Sequence, residues 1–372
     1  MRRICSDERF AKNPRHWRAW TTGLIPPDWV LISWVGVENM LTADDPDHGR
    51  LRKLVAQAFT PRQIERLAPR ITEITAALLQ QMAEHAADTA GLVDLKAGLA
   101  LPLPLTVISE LFGVPGEQRE RLQPLCATVF DQTITPQQAQ AAHEGLQNEL
   151  AELVRHKRAR PGTDLTSALI AARDGGDHLS EPELIWTLIL MIGAGYETTT
   201  NLITNAVHGL LTHPDQLARV LGGEVGWAAA VEETLRLYPS IAALPFRYTR
   251  QDVHLGGVTI PAGEAVLMCY AAAGRDSAQH GPDAGRFDLT RRQQPHLSFG
   301  HGAHYCLGAA LARQEATIAL EMLFHRFPAL RLAVEADTLT WLPSIVATGV
   351  TSLPVLLSEQ PHPGAAIPSR AA

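Results

Sequence analysis

The run Phe299-Gly300-His301-Gly302-Ala303-His304-Tyr305-Cys306-Leu307-Gly308 frames a single thiol with glycines and one aromatic ring, directly before an Ala/Leu-rich stretch with helical spacing. Gly302 permits a turn that most side chains forbid, Gly308 lets the backbone approach a flat cofactor, and Phe299 can keep water from the sulfur. A helix opening at Cys306 would turn its free N–H groups toward the sulfur and favour the thiolate. These are the requirements of a thiolate ligand to haem iron. Two other readings compete. His296, His301, His304 and Cys306 could all be zinc ligands, but there is no second Cys and zinc would not require the framework of Phe299, Gly302 and Gly308. A buried, inert cysteine is the plainer alternative.

Further residues have types and spacings that could serve such a site. Gly193-Ala194-Gly195-Tyr196-Glu197-Thr198-Thr199-Thr200 places two glycines and three β-branched threonines inside a long helical pattern, at about 1 kcal/mol per glycine. Either the helix must open there or it meets a neighbour that needs small residues. Glu233-Thr234-Leu235-Arg236 puts opposite charges at i,i+3 on one helix face, a spacing that a solvated face also shows. His48 and Arg52 stand at i,i+4, Arg247 lies in Pro245-Phe246-Arg247-Tyr248, and His304 precedes the thiol by two.

Together these motifs resemble the cytochrome P-450 superfamily, the haem-thiolate monooxygenases, along nearly the whole chain from about Asp7 to Leu357. The resemblance implies haem b bound by Cys306, with Ala194, Gly195, Phe299, Gly302 and Gly308 against the cofactor and His48, Arg52, Arg247 and His304 at its propionates. Gly195 would let the long helix open over the iron, Glu197 would relay protons from solvent, and Thr198 would donate a hydrogen bond to the oxygen being activated. Glu233 and Arg236 would form a structural ion pair, closed by Arg286 or Arg291. The implied partners are O2, a ferredoxin and ferredoxin reductase drawing on NAD(P)H, and a steroid- or macrolide-like lipophilic substrate walled by Trp29, Trp34, Ala194, Ile241 to Leu244 and Val346 to Gly349. Arg50, Lys53 and Arg313 could form a basic patch for an acidic ferredoxin. The resembling families carry a further helix and two strands ahead of the segment like Ile4 to Asn13. Without them, strand Ala265 to Tyr270 is expected to keep an unpaired edge and the loop from Arg9 to Asn39 to lose burial, and a haem-binding chain without turnover is the alternative function. A peroxide-using enzyme is a third reading, against which Glu197 and Thr198 speak.

The elements that must position these residues are mostly helices. The first forty-five residues, with Trp17, Trp20, Trp29, Trp34 and Pro26-Pro27, read as a long loop. Helical patterns run from Pro46 to about Ala87, broken at Thr60-Pro61 with Thr60 as N-cap, and two or three more helices follow to about Ala172. Ser180-Glu181-Pro182-Glu183 is a capping box, and the next proline is Pro214. About thirty helical residues at 1.5 Å each would span roughly 45 Å, so this helix must run through the core. Strands are expected at Leu244 to Tyr248, in a hairpin from Val253 to Ile260, and at Ala265 to Tyr270. A meander from Asp276 to Pro295 leads to the thiol loop, one helix reaches about Arg326, and short strands close the fold near Leu357. The expectation is a mainly α fold, a helical bundle with a small β region, as one domain over 1–357 with a disordered tail over 358–372.

With 372 residues, 46% hydrophobic and 19% charged, the chain can bury a cofactor in one large core. A net charge of -7 gives no footprint for nucleic acid. Cys5, Cys126, Cys269 and Cys306 form no C-x-x-C pair, the N-terminus lacks the apolar core of a signal peptide, and no apolar run is long enough for a membrane span. A cytoplasmic protein is expected.

Overall fold

The computed structural model describes residues 1–128, 131, 133–174, 179–292 and 295–357. At the N-terminus α1 (Arg2–Ser6), α2 (Arg18–Thr21) and α3 (Ile32–Val35) are short helices and β1 is the pair Phe10–Ala11. The expected long loop is therefore broken into anchored turns, because Trp17, Leu31, Trp34 and Val35 are buried and the backbone between such anchors must satisfy its own polar groups. Between these anchors the segment from Arg9 to Asn39 is exposed in part, with Leu24 and Val30 largely open to solvent.

α4 (Asp47–Ala56) leads into α5 (Pro61–Asp88), whose first turn accommodates Pro61 because no N–H is needed there. Thr60 has the extended backbone of an N-cap, but its hydroxyl makes no capping bond. β2 (Leu92–Asp94) and a π-helical turn at Lys96–Ala100 precede α6 (Pro102–Phe112), α7 (Gly116–Ala127), α8 (Pro136–Ala159) and α9 (Leu165–Asp174). Four helices thus stand where two or three were expected. The unread signal is Thr135-Pro136-Gln137-Gln138, a complete capping box that starts α8.

α10 (Glu181–Thr212) begins at the expected Ser180 to Glu183 capping box and runs unbroken through the middle of the molecule. It packs against α6, α8 and α15 (Ala309–Arg326), and against α12 (Trp227–Leu237), which follows α11 (Pro214–Leu221). Leu184, Leu188, Ile203, Ala206 and Leu210 on α10 join Phe112, Ala230, Ala316 and Leu320 in one large core. Fully burying a side chain of leucine size contributes about 1.5–3 kcal/mol, so this contact layer fixes where α10 lies.

The β region is small. β3 (Ala243–Thr249) lies between β1 and β6 (Ala265–Cys269), both antiparallel to it, and β4 (Val253–Leu255) pairs with β5 (Val258–Ile260) as the expected hairpin. β6 is an edge strand in this sheet, as expected. A bulge interrupts the β3–β6 ladder between Leu244 and Arg247. α13 (Tyr270–Gly274) and α14 (Ser277–His280) open the meander, and β7 (Arg331–Leu332) and β8 (Pro354–Leu356) form the last sheet with β2. Among the described residues no single helix is long and apolar enough to cross a membrane. Residues 358–372, expected to be a tail, lie outside the described residues.

Candidate active site

The loop around Cys306 is shaped by its glycines and its own backbone. Gly300 and Gly302 have φ of 73° and 75°, in the left-handed region that favours glycine. A Cβ on Gly302 would also lie 2.8 Å from the Cys5 carbonyl oxygen, since α1 packs against this turn. The Cys306 N–H donates to the Phe299 carbonyl at 2.9 Å, which closes the loop. α15 starts at Ala309 with Gly308 as N-cap, so Cys306 lies ahead of the helix and not on its first turn. That corrects the expected source of thiolate stabilisation. Burial pushes the Cys306 thiol up, and the Gly308 N–H, Arg52 and Arg313 pull it back.

Both arginines are held in place. Arg52 Nη2 donates to the Tyr305 carbonyl at 2.6 Å. Arg313 Nε donates to Glu232 Oε1 at 2.5 Å while its guanidinium lies 4.5 Å from the Phe299 ring centre. His296 Nε2 meets the same carboxylate at 3.1 Å. Burial alone would raise the Glu232 carboxyl, but hydrogen bonds from His296 and Arg313 bring it down to about 2. Arg50 is likewise engaged, with Nη2 at 2.5 Å from Glu183 Oε1. The basic patch imagined from Arg50, Lys53 and Arg313 is therefore largely neutralised where it stands.

His48, Arg52, Phe299, His304, Cys306 and Gly308 line one cavity, and across it stand Ala194, Gly195 and Thr198 of α10. The rings of His48 and His304 are 4.0 Å apart. His48 Nδ1 faces Asp45 at 3.6 Å, while its buried Nε2 has no hydrogen-bond partner among the described residues. Burial lowers the His304 pKa far below the ordinary range, and His48, Arg247, Lys12 and Arg52 push the same way. Arg247 does not line the cavity, but its buried side chain on β3 acts on both imidazoles.

On α10, Thr198 Oγ1 donates to the Ala194 carbonyl at 2.9 Å. The helix does not open at Gly195, contrary to expectation. A Cβ there would lie 2.7 Å from Ile108 Cγ1 of α6, so Gly195 serves close helix packing, the other reading that the sequence left open. Glu197 is buried and does not line the cavity. Burial raises its pKa, opposed by Lys96 at the start of the π-helical turn and by Asn201.

Glu233 and Arg236 form a buried two-pronged pair, Nε to Oε2 and Nη2 to Oε1, both at 2.7 Å. Arg291 Nε closes it at 3.6 Å from Glu233 Oε1, whereas Arg286 contributes its carbonyl to Arg236 Nη2 at 2.9 Å. Trp34, Val346 and Ala347 are packed with Trp29, Ile241 and Leu244 in an apolar cluster, but of the walls expected from sequence it is Ala194 that lines the cavity with Cys306. Sequence reasoning missed Met40, Leu41, Ile108 and Leu311 in the cavity lining, and Lys12 beside Arg247. The first four are ordinary apolar residues of helices and loops and carry no signal of their own.

A family model described as Cytochrome P-450 matches residues 123–221 and 227–340. The chain is 44% identical over 357 residues to 2-hydroxy-5-methyl-1-naphthoate 7-hydroxylase of Streptomyces carzinostaticus, covering 96% of this chain and 87% of that one. It is 42% identical over 322 residues to 6-deoxyerythronolide B hydroxylase of Saccharopolyspora erythraea, covering 86% and 78%. The solved structure of CYP154A1 from Streptomyces coelicolor A3(2) superposes with a TM-score of 0.91 at 48% identity, covering 96% of this chain and 89% of that one.

Proposed function

We propose that this chain, which belongs to the cytochrome P-450 family, holds haem b on the Cys306 thiolate and hydroxylates a medium-sized lipophilic substrate. The family consists of oxidoreductases that carry haem b on an axial cysteine, so the chain is a haem-thiolate monooxygenase. The observation that carries the residue assignment is the single cavity that joins Cys306 and Gly308 on one side to Ala194 and Thr198 on the other, with His48, Arg52 and His304 among its lining. The residues suit the cofactor. His48 Nε2 is a buried donor or acceptor without a hydrogen-bond partner among the described residues, and the cations Arg52 and Arg247 stand near two imidazoles where two propionates need neutralising. Gly308 keeps the space beside Cys306 Sγ free of a side chain.

When bound, haem with a thiolate ligand supplies reductive activation of dioxygen and the transfer of one oxygen atom to a C–H bond. Around it this chain's residues divide the remaining work. Phe299 and Leu307 line the cavity with Cys306, and the Gly308 N–H with Arg52 and Arg313 stabilises the negative charge of its sulfur. Thr198 presents a hydroxyl at the cavity wall, fixed by its bond to Ala194. Glu197, one residue before Thr198 and raised in pKa by burial, is the carboxyl assigned to proton supply toward that face. The cavity itself is lined by Met40, Leu41, Phe59, Ile108, Leu190 and Met191, apolar side chains that favour a lipophilic substrate. The relatives named for a naphthoate and for 6-deoxyerythronolide B support a polycyclic or macrolide-like class. Electrons come from NAD(P)H through a ferredoxin reductase and a ferredoxin, so substrate, dioxygen, two electrons and two protons give alcohol and water.

The carbonyl difference spectrum of the reduced protein tests the assignment. The wild type should give the thiolate Soret band and the Cys306→Ala variant should lose it, while Cys5, Cys126 and Cys269 are replaceable. A thiolate band that survives in Cys306→Ala overturns the reading. Ferredoxin-supported oxidation of naphthoate or macrolactone probes then separates an active enzyme from a haem-binding chain without turnover.

A further inference from the structure

Lys12 follows β1 directly and is only 4% exposed, an unusual place for an ammonium group. β1 pairs with β3 through Phe10 to Thr249 and Ala11 to Tyr248, so the chain delivers Lys12 alongside Arg247. Its Nζ donates to the Pro245 carbonyl at 3.1 Å and the Phe246 carbonyl at 3.2 Å. Those two residues are the bulge of β3, where the ladder with β6 is interrupted between Leu244 and Arg247. Bulges re-aim the side chains beside them, and Arg247 is the next residue. Asp44 fixes the other end of the arrangement, accepting from the Lys12 N–H at 2.6 Å and from the Asn13 N–H at 3.3 Å.

We propose that Lys12 is a positioning residue for Arg247, its ammonium clamping the two bulge carbonyls so that the guanidinium is aimed at the propionate side of the haem site. This rests on the haem site assigned above. Without the clamp, two carbonyls of an inner strand lose their donor in a region from which water is excluded, and the bulge relaxes to satisfy them. Burial, followed by the charge of Arg247, lowers Lys12 to about 7, with Asp44 and Cys5 opposing. Two buried cations side by side, facing His48, His304 and Arg52, are held together best when anionic carboxylates complete the cluster.

The test measures transfer of haem from the holoenzyme to an excess of apomyoglobin, with resonance Raman spectra of the propionate modes. Lys12→Met should speed haem loss by roughly 10- to 100-fold, the range for loss of a supporting contact around a metal site, and should shift the propionate modes in the same direction as Arg247→Met. Because Lys12 acts through Arg247, the double variant should lose haem no faster than Arg247→Met alone. Lys12→Gln, which can hold only one of the two carbonyls, should fall between wild type and Lys12→Met, and it carries the same double-variant comparison if Lys12→Met does not fold. Wild-type haem loss in the Lys12 variants, additive effects in the double variant, or unshifted propionate modes would each overturn the proposal. A thiolate carbonyl spectrum in all variants keeps the parent reading standing whichever way this one falls.

Discussion

At the scale of single residues, Thr198 separates binding from oxygen chemistry. Its hydroxyl is one of two that α10 brings to the cavity, Thr199 being the other, and its present bond is to a carbonyl of its own helix, so the fold does not depend on it. Thr198→Ala should keep haem and substrate binding while diverting electrons to peroxide or water. The check is product formed per NADH consumed, which should fall several-fold; unchanged coupling would make Thr198 a packing residue. The thiol loop was legible because its glycines and its cysteine stand in a rare spacing. Lys12 was not, since a lone lysine after a two-residue strand has no pattern, and its importance comes from a bulge formed more than two hundred residues later. Arg286 and Arg291 were inseparable in sequence because both lie in the same meander. One donates its side chain to the ion-pair cluster and the other lends it a carbonyl, and only the folded path decides which.

At the scale of elements, the join between α12 and α13 ties the ion pair to the rest of the molecule. Arg236 Nη1 donates to the carbonyls of Gly274 and Ala284 at 2.6 Å each, so the guanidinium fastens α12 to the end of α13 and to the meander. A Cβ on Gly274 would lie 1.9 Å from the Arg236 carbonyl oxygen, a backbone atom that cannot rotate away. Gly274→Ala should therefore cost about 1–3 kcal/mol or more, seen as a lower thermal midpoint and reduced haem content. Gly193→Ala is the contrasting case. Its nearest neighbour would be Cys126 Sγ at 4.0 Å, and alanine removes a glycine from a helix interior, so stability should hold or rise by up to about 1 kcal/mol. The family resemblance set Gly195 apart from Gly193, and in the structure the approach of α6 at Ile108 sets it apart for packing as well. The long helix and the strands from Ala243 to Cys269 were readable from capping and β-prone runs, whereas β1 and β2, of two and three residues, were not. α8 was undercounted because its capping box carries a neutral Gln in place of the more familiar Glu.

At the scale of the whole molecule, one half-buried and one buried carboxyl set opposite slopes in the dependence of stability on pH. Glu232 is lowered to about 2 by His296 and Arg313 after burial has opposed them, so its contribution is full above the ordinary value of 4.5 and is lost as pH falls through about 2. Glu315 is the reverse. It lies on α15 with 2% exposure and an Oε2 without a hydrogen-bond partner among the described residues, and burial raises it from 4.5 to about 8. Between those values the unfolded chain has released this proton while the folded one keeps it, so the folded state binds more protons and stability falls as pH rises. The loss is complete once pH passes about 8, and the full shift corresponds to at most about 5 kcal/mol. Glu315→Gln keeps the shape and removes the proton equilibrium, so its thermal midpoint should stay flat from pH 5 to 8, about the range that separates the two values, while the wild type declines. Glu232→Gln should leave that decline intact and weaken the protein in the neutral range, where the ion cluster is otherwise complete. Parallel curves for wild type and Glu315→Gln would mean that the Glu315 carboxyl finds a charged state inside the fold after all.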